Sequence, residues 1–355
     1  MMRTQICELL GISYPIIQAS MAWVTNAEMV AAVCNAGGIG TLGPNAGATT
    51  VTRDPLETAE RLRMQIRKVR DLTTNPFAVN IVVPGPGEED FTEQSIRVVI
   101  EEAVPVVIVS QGNPKLFTER LKSAGPKVLH VVASIKHAIK AEQAGVDAVI
   151  TSGTEGGGHS GFDQLTTFAL VPQVVDAVKV PVVVGGGVGD HRGLLAALSL
   201  GGDGVYMGTR FIATKECPAH QNWKHALLKA DATDTVTIGH GRISADKVTD
   251  IQGELRFGSL RLLVNEYTEQ MLKAESEGSG PDEILKLYLS PPPGYPEGIS
   301  RTVAGAIYGD TVHGGCAGGQ EVGLINDIPT CEELIERIIG GAQISVGRLS
   351  AMLPS

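Results

Sequence analysis

The amino-acid sequence predicts an α/β protein: a TIM (β/α)8 barrel carrying a smaller helical domain. Three observations lead there. Eight short apolar runs fill about the first 210 residues, each followed by a stretch with helical periodicity, which is the repeat a barrel needs. The chain is 43% hydrophobic but only 4% aromatic, so Ala, Val, Ile and Leu supply the apolar surface, as parallel strands buried on both faces require. Glycine clusters follow the seventh and eighth runs, where barrels most often hold phosphate. At 355 residues the chain also exceeds the about 250–300 at which a single core stops growing, so a second unit is expected.

The predicted strands are "PIIQAS" (15–20), "GIGTLG" (38–43), "FAVNIVV" (77–83), "VPVVIVS" (104–110), "KVLHVVA" (127–133), "AVITSG" (148–153), "VPVVVGG" (180–186) and "GVYMGT" (204–209). Each is apolar and bounded by Gly, Pro, Asn or Asp. Between them lie amphipathic stretches such as "NAEMVAAVCNAG", "PLETAERLRMQIRKV", "SIKHAIKAEQAG", "LVPQVVDAVK" and "DHRGLLAALSLG", several ending in Gly as helices commonly do. An open doubly wound sheet is the alternative, but it would place GxGxxG after its first strand, and "IIQASMAWVTNAE" has none.

Past Lys229 the pattern changes. "SLRLLVNEYTEQMLKAES" and "GPDEILKLYLS" read as longer helical stretches, followed by "PPPGYPEG". The expected division is a barrel over 1–230, a helical domain over 231–300, and a return segment over 301–355. In the last, "CEELIERIIGGAQISVGRLSAML" forms a helix that packs back on the barrel.

Charge and cysteine usage narrow the function classes. A net charge of −10 lacks the basic field that nucleic acid or an anionic membrane surface would require, leaving a small molecule as the expected partner. Cys7, Cys34, Cys217, Cys316 and Cys331 are scattered without a CxxC, which suggests neither a disulfide framework nor a zinc site and fits a reducing cytoplasm. Neither a secretory leader nor an 18-residue apolar run is expected from the sequence.

In a barrel the chemistry sits at the C-terminal ends of the strands. Those ends carry Gln18, Ala19, Ser20 and Met21 after the first strand, Asn80 in the third, Ser134 after the fifth, and Ser152 with Gly153 after the sixth. Small and amide side chains of this kind can line a flat ring system. After the seventh and eighth strands come "GGGVGD" (Gly185 to Asp190) and "MGTRF" (Met207 to Phe211), either as tight turns or as backbone N–H groups open to an anion. Thr209 could add a hydroxyl, whereas Arg210 reads equally as a core-edge ion pair. Asn80 interrupts an apolar run, so it either bonds a neighbouring loop or reads a ligand edge.

His159 stands in "SGTEGGGHSG" (Ser152 to Gly161), about six residues beyond the sixth strand. An ordinary histidine pKa of about 6.5 suits proton transfer or hydrogen bonding to a developing anion. Its rival reading is a solvent-facing loop residue. His130 lies in a strand pattern, His137, His191 and His225 in helical patterns, and His220 beside a helix start, while His240 and His313 are unplaced. Cys217 and Cys316 fall near candidate active-face loops without an identifiable positioned base, and Glu155, the only acid in the loop, is either half of a carboxylate pair or a partner for backbone amides.

At these residues the sequence resembles the nitronate monooxygenase (2-nitropropane dioxygenase) family of FMN-dependent TIM barrels, together with related flavin-dependent enoyl-acyl-carrier-protein reductases and NADH:quinone reductases. The resemblance is carried by "PIIQASMAW", "AGGIGTLG", "FAVNI", "GTEGGGHSG", "VPVVVGGGVGD", "GVYMGTRFIATKECPAH" and "AGGQEVGLIND". It implies FMN as cofactor, with contacts from Ala19, Ser20, Met21, Asn80, Ser152, Gly157, Tyr206 and Met207, and phosphate contacts from Gly186, Gly187, Gly208 and Thr209. His159 falls on the family's active-site histidine. Gln320 falls in a segment like the family's "AGQ", here with an extra glycine after Ala317 and Gly318. The part from 231 to 300 matches the family's substrate-covering domain.

The resemblance implies an oxidoreductase that turns an alkyl nitronate and O2 into a carbonyl compound and nitrite, with His159 hydrogen-bonding the nitronate or taking the α-proton. The alternative is an NAD(P)H-dependent reductase of quinones or enoyl thioesters; a non-catalytic flavin binder is the third reading. The usual nitronate monooxygenase loop resembles "EAGGHRG", and here Gly156 and Ser160 replace its Ala and Arg. "LTT" at 165–167 is more similar to the enoyl reductases, and "MAWV", "TKECPAH" and "AIYGD" to the quinone reductases. "VVPGPGEEDF" after the third strand is either a flap over the flavin or a stiffened surface loop. The assembly expected with these partners is open to a homodimer.

Overall fold

The computed structural model describes residues 4–84, 87–161, 163–239 and 259–352. All eight predicted strands form. They are β1 (Ile16–Gln18), β2 (Thr41–Leu42), β3 (Ala78–Val82), β4 (Val106–Ser110), β5 (Lys127–Val132), β6 (Ala148–Ser152), then, after the short β7 (Gly158–His159), β8 (Val182–Gly185) and β9 (Gly204–Met207). The barrel strands pair in parallel in the order β1-β9-β8-β6-β5-β4-β3-β2. Two backbone bonds bring its ends together: Gln18 N–H donates to Ile39 O at 2.9 Å and Ile39 N–H to Ile16 O at 3.0 Å.

The pleat explains why the strands read as unbroken apolar runs. Ile17, Ala78, Ile108, Leu129, Ile150 and Val183 fill the inside of the ring. Their neighbours Val79, Val107, Val128, Val149 and Val182 point outward into the helices. Each such side chain contributes about 1.5–3 kcal/mol by leaving water, so neither face can be polar. The helix Gln5–Leu10 sends Ile6 and Leu10 into the inner cluster; Ile6 lies against Gly204 at the start of β9, plugging the N-terminal mouth.

Local signals fix the helix starts. Asn26, Asp54, Ser134 and Asp190 each accept a backbone N–H at an N-cap, and Pro55 occupies a first-turn position where its missing donor costs nothing. The helix Cys331–Ser350 opens on a capping box between Thr330 and Glu333 and packs against helices Ala27–Asn35 and His191–Ser199, as expected of the tail.

The region past the barrel differs from its purely helical reading. "SLRLL" opens no helix: β11 (Leu260–Leu263) pairs antiparallel with β10 (Thr235–Ile238), and the helix Glu266–Ser276 starts only after its cap Asn265. The capping box of Asn265 and Thr268 stops the strand pattern from running on as helix. A separate small core of Ile238, Leu260, Leu262, Tyr267, Met271 and Ile284 holds these elements, including the helix Pro281–Leu289, together. Arg301 of the return segment stacks over the Tyr267 ring at 4.6 Å and donates to Ser290 O and His313 O.

The third strand of this small sheet is β7, pairing antiparallel with β11. The candidate histidine therefore sits in a strand, whereas the sequence suggested a flexible loop. Gly85 and Pro86 of the segment after the third strand, read as either a flap or a stiffened surface loop, and His240 lie outside the described residues. No helix among the described residues is long and apolar enough to cross a membrane.

Candidate active site

Two sets of loops meet at the C-terminal end of the barrel. The first joins the ends of β1 and β9. Ala19 N–H donates to Met207 O at 2.9 Å, and the Tyr206 hydroxyl accepts from Ser20 N–H at 2.8 Å and meets Ser20 Oγ at 2.9 Å. Burial raises the Tyr206 pKa, so this phenol keeps its proton near neutrality. A Cβ at Gly208 would have Ala19 and the Met21 sulfur as its neighbours, at 3.7 and 3.8 Å.

The second set joins the loops after β6 and β8 to the segment around Gln320. Gly186 and Gly187 both adopt left-handed conformations, at φ +97° and +75°, and a Cβ on Gly186 would stand 2.8 Å from Gly153 O. A Cβ on Gly157 would stand 2.7 Å from Gly319 N. Gln320 N–H donates to Glu155 O at 2.8 Å, and Gly319 N–H donates to Thr209 Oγ1 at 3.0 Å. Thr209 thus links the two sets. A mainly apolar cavity of about 420 Å³ opens beside them, where Glu155, Thr167, Gly186, Gly187, Gln320 and Glu321 meet Val184, Val188, Ala197, Leu200 and Leu324.

Glu155 takes the structural role left open by the sequence. Both carboxylate oxygens accept Thr167 N–H at 2.9 Å, and one accepts Thr167 Oγ1 at 3.0 Å, at the start of helix Thr167–Ala177. Ser134 is likewise a helix cap. Asn80 donates to Ile108 O at 2.9 Å and Ser110 Oγ at 3.1 Å, which ties it to β4. Ser152 closes β6 in register with Gly185.

His159 stands opposite Leu260 in the β7–β11 pairing. The pairing is reinforced next door: Ser160 N–H donates to Ser259 O at 2.9 Å, their hydroxyls meet at 3.0 Å, and Gln164 Nε2 reaches Ser259 Oγ at 2.9 Å. Arg261 adds a bond from Nε to Thr154 O at 2.8 Å. Ser160, which replaces the arginine of the usual loop, is therefore a joint between the barrel loop and the small sheet. The His159 ring is exposed, yet protein crowds it closely enough that desolvation holds its pKa below the ordinary histidine value. Near neutrality it is a neutral imidazole, able to accept a proton or donate one N–H bond.

The other candidates fall away from this rim. His130 is fully buried in β5 against His137, with ring centroids 5.1 Å apart. His220 caps a helix by accepting Asn222 N–H, and His313 lies between Glu266 and Asp310 at 3.3 and 3.5 Å. Arg210 is buried and bonds Ala213 O and Asp327 instead of facing an anion. All five cysteines are buried; burial pushes Cys217 up to about 11 and Cys316 to about 12, far from a reactive thiolate.

The residues present suit a flavin mononucleotide. Gly186, Gly187, Gly208 and Thr209 follow the ends of the paired strands β8 and β9, a side-chain-poor stretch with one hydroxyl whose donor chemistry is compatible with a phosphate. Ala19, Ser20, Met21, Tyr206 and Met207 form the adjoining wall, Asn80 lies within β3 and Ser152 ends β6, and Gly157 packs against Gly319, next to Gln320. Sequence reasoning missed Glu321, an acid buried beside Gln320 whose only signal was a charge in a glycine-rich stretch.

A family model described as nitronate monooxygenase matches residues 3–341. A carboxyl-CoA dehydrogenase of Rhodococcus jostii (strain RHA1), named for a hydroxy-methyl-oxo-octahydroindene thioester, is 34% identical, with 99% of each chain covered. A probable nitronate monooxygenase of Staphylococcus saprophyticus is 38% identical over 66% of this chain and 74% of the relative. Among solved structures, FabK from Thermotoga maritima is 34% identical with a TM-score of 0.83, covering 99% of this chain and 100% of that one.

Proposed function

The chain belongs to the nitronate monooxygenase family, whose members are FMN-dependent oxidoreductases, and from that premise we propose that it oxidises or reduces a thioester-bearing acid, with His159 handling the proton. The observation that carries the substrate class is 34% identity to both the carboxyl-CoA dehydrogenase and FabK, sustained over 99% of this chain, the small sheet that contains His159 included. That sheet is the part best placed to select a substrate.

Bound FMN supplies the acceptance and donation of hydride or electrons. The chain supplies placement. Gly186, Gly187, Gly208 and Thr209 would hold the phosphate, while Ala19, Ser20, Met21, Tyr206, Met207, Asn80, Ser152, Gly157 and Gln320 would line the rest. Tyr206, protonated and bonded to Ser20, stiffens the wall beside the cofactor. His159, neutral and pinned by β11, would take a proton from the carbon next to the substrate carbonyl, or return one in the reverse direction. Its lowered pKa suits the base better than the acid.

A second reading, oxidation of a nitronate with O2, is favoured by the family model and by the Staphylococcus relative. There His159 would hydrogen-bond the nitronate oxygens. Anaerobic mixing of the flavin-loaded enzyme separates the two. The thioester reading expects an acyl thioester to exchange electrons with the flavin, bleaching the oxidised enzyme or restoring the absorbance of enzyme reduced by NADH or NADPH, and a nitronate to leave it unchanged. Bleaching by a nitronate alone, with neither nicotinamide effective, would sink it in favour of the second.

A further inference from the structure

Glu321 is an acid in an unusual place. Its surface is 6% exposed, it lines the same cavity as Gly186, Gly187 and Gln320, and its Cβ packs against Gly189 beside the cap Asp190. One carboxyl oxygen, Oε2, is buried with no hydrogen-bond partner. It lies against Gly319, where any Cβ would collide with it at 2.2 Å.

The charged groups around it are otherwise engaged. The Glu155 carboxylate is held by Thr167, the Arg261 guanidinium bonds Thr154 O and the Thr235 oxygens, and Asp190 pairs with Arg192. No ion pair reaches Glu321 among the described residues. Burying an unpaired carboxylate is costly, and a carboxyl in that position keeps its proton instead. Burial pushes Glu321 up to about 7, helped by the nearby Glu155 charge, against hydrogen bonds from its own backbone N–H and the Thr209 side chain and the weaker pull of Arg261. A neutral carboxyl in turn has an O–H to satisfy, and the described protein offers Oε2 nothing.

We propose that Glu321 contacts the cofactor in this site, carrying a proton that it donates in a hydrogen bond to the cofactor's phosphate. The inference rests on the reading of Gly186, Gly187 and Thr209 as the phosphate rim. A protonated acid there adds a donor without adding repulsion. Its loss of the proton does the reverse, placing a second anion beside the first.

The test is the dissociation constant of FMN from the apoprotein, followed by flavin fluorescence from about pH 6 to about pH 9, in wild type and Glu321→Gln. If binding needs the protonated acid, wild-type affinity weakens about tenfold per pH unit above the Glu321 titration. Glu321→Gln keeps a neutral donor, so it binds within a few-fold of wild type at the acid end and holds that affinity as pH rises. The phosphate's own ionisation, at about pH 6, acts on both proteins alike, so the difference between profiles reads Glu321. Parallel profiles, or a flat wild-type profile, overturn the inference while leaving the flavin reading intact. Absence of FMN binding by wild type at every pH overturns both. Should Glu321→Gln fold poorly, riboflavin, which lacks the phosphate, replaces the variant as reference: the wild-type pH dependence must be seen for FMN and be absent for riboflavin, and an equal dependence for both overturns the inference.

Discussion

His159 and Leu260 are cross-strand partners, joining a barrel loop to a strand a hundred residues further on. The pairing turns a run of glycines into a fixed platform. Beside it, Gln164 bonds Thr154 Oγ1, Gly161 O at 2.6 Å and Ser259 Oγ at 2.9 Å.

Gln164→Ala removes that clamp without touching His159. We expect kcat/KM to fall roughly tenfold, about 1.4 kcal/mol of transition-state positioning. FMN affinity should stay within a few-fold of wild type. Steady-state kinetics beside a flavin titration check this; an equal loss in both quantities would mean that the clamp serves the cofactor instead.

Gly186→Ala places a side chain at φ +97° and 2.8 Å from Gly153 O. The strain amounts to about 1–3 kcal/mol. FMN should bind at least about tenfold more weakly, with a lower melting temperature in the apoprotein. Unaltered FMN affinity would remove Gly186 from the phosphate rim.

Acid should weaken the fold through His130. Burial lowers its pKa to about 3, with the His137 charge contributing, and neither ring nitrogen meets a partner. Unfolding restores a pKa of about 6.5, so the unfolded chain binds the extra proton and stability is full above that value and lost as pH falls below it. The loss by about pH 4 is about 3 kcal/mol. His130→Leu, apolar and similar in volume, should flatten the melting temperature over this range; an unchanged acid slope would place the sensitivity elsewhere.

The cysteines should be silent. Burial pushes Cys34 and Cys316 up to about 12 and Cys217 to about 11, and it raises Cys331 as well. An alkylating reagent near pH 8 should therefore neither label these four thiols nor slow turnover until the protein is unfolded. Mass spectrometry after a timed reaction reads this, and inactivation tracking one labelled cysteine would contradict it.

The barrel was legible because its strands need no partner to be recognised. Val79, Val107 and Val149 face helices while Ala78, Ile108 and Ile150 face the ring interior, so each strand announces itself as a continuous apolar run. Caps at Asn26, Asp54 and Asp190 mark helix starts just as locally. The small sheet carries no such mark. β7 is two residues long, and its pairing with Leu260 and Arg261 depends on chain far away in sequence. "SLRLL" runs straight into a helix, which hides β11. The glycine clusters do follow the C-terminal ends of β8 and β9, as their spacing predicts, but Glu321 owes its character to burial, which spacing does not reveal.

Turnover of His159→Ala, loaded with FMN to wild-type content and measured across pH, tests the central claim most directly. Loss of a positioned proton carrier should lower kcat by about 10²–10⁴-fold with the flavin spectrum unchanged. In wild type, kcat/KM should rise with pH as His159 gives up its proton and level off below the ordinary histidine pKa, because desolvation lowers that value. The variant should lack this rise. Undiminished turnover in His159→Ala with every electron donor, or an identical pH profile, would contradict the account.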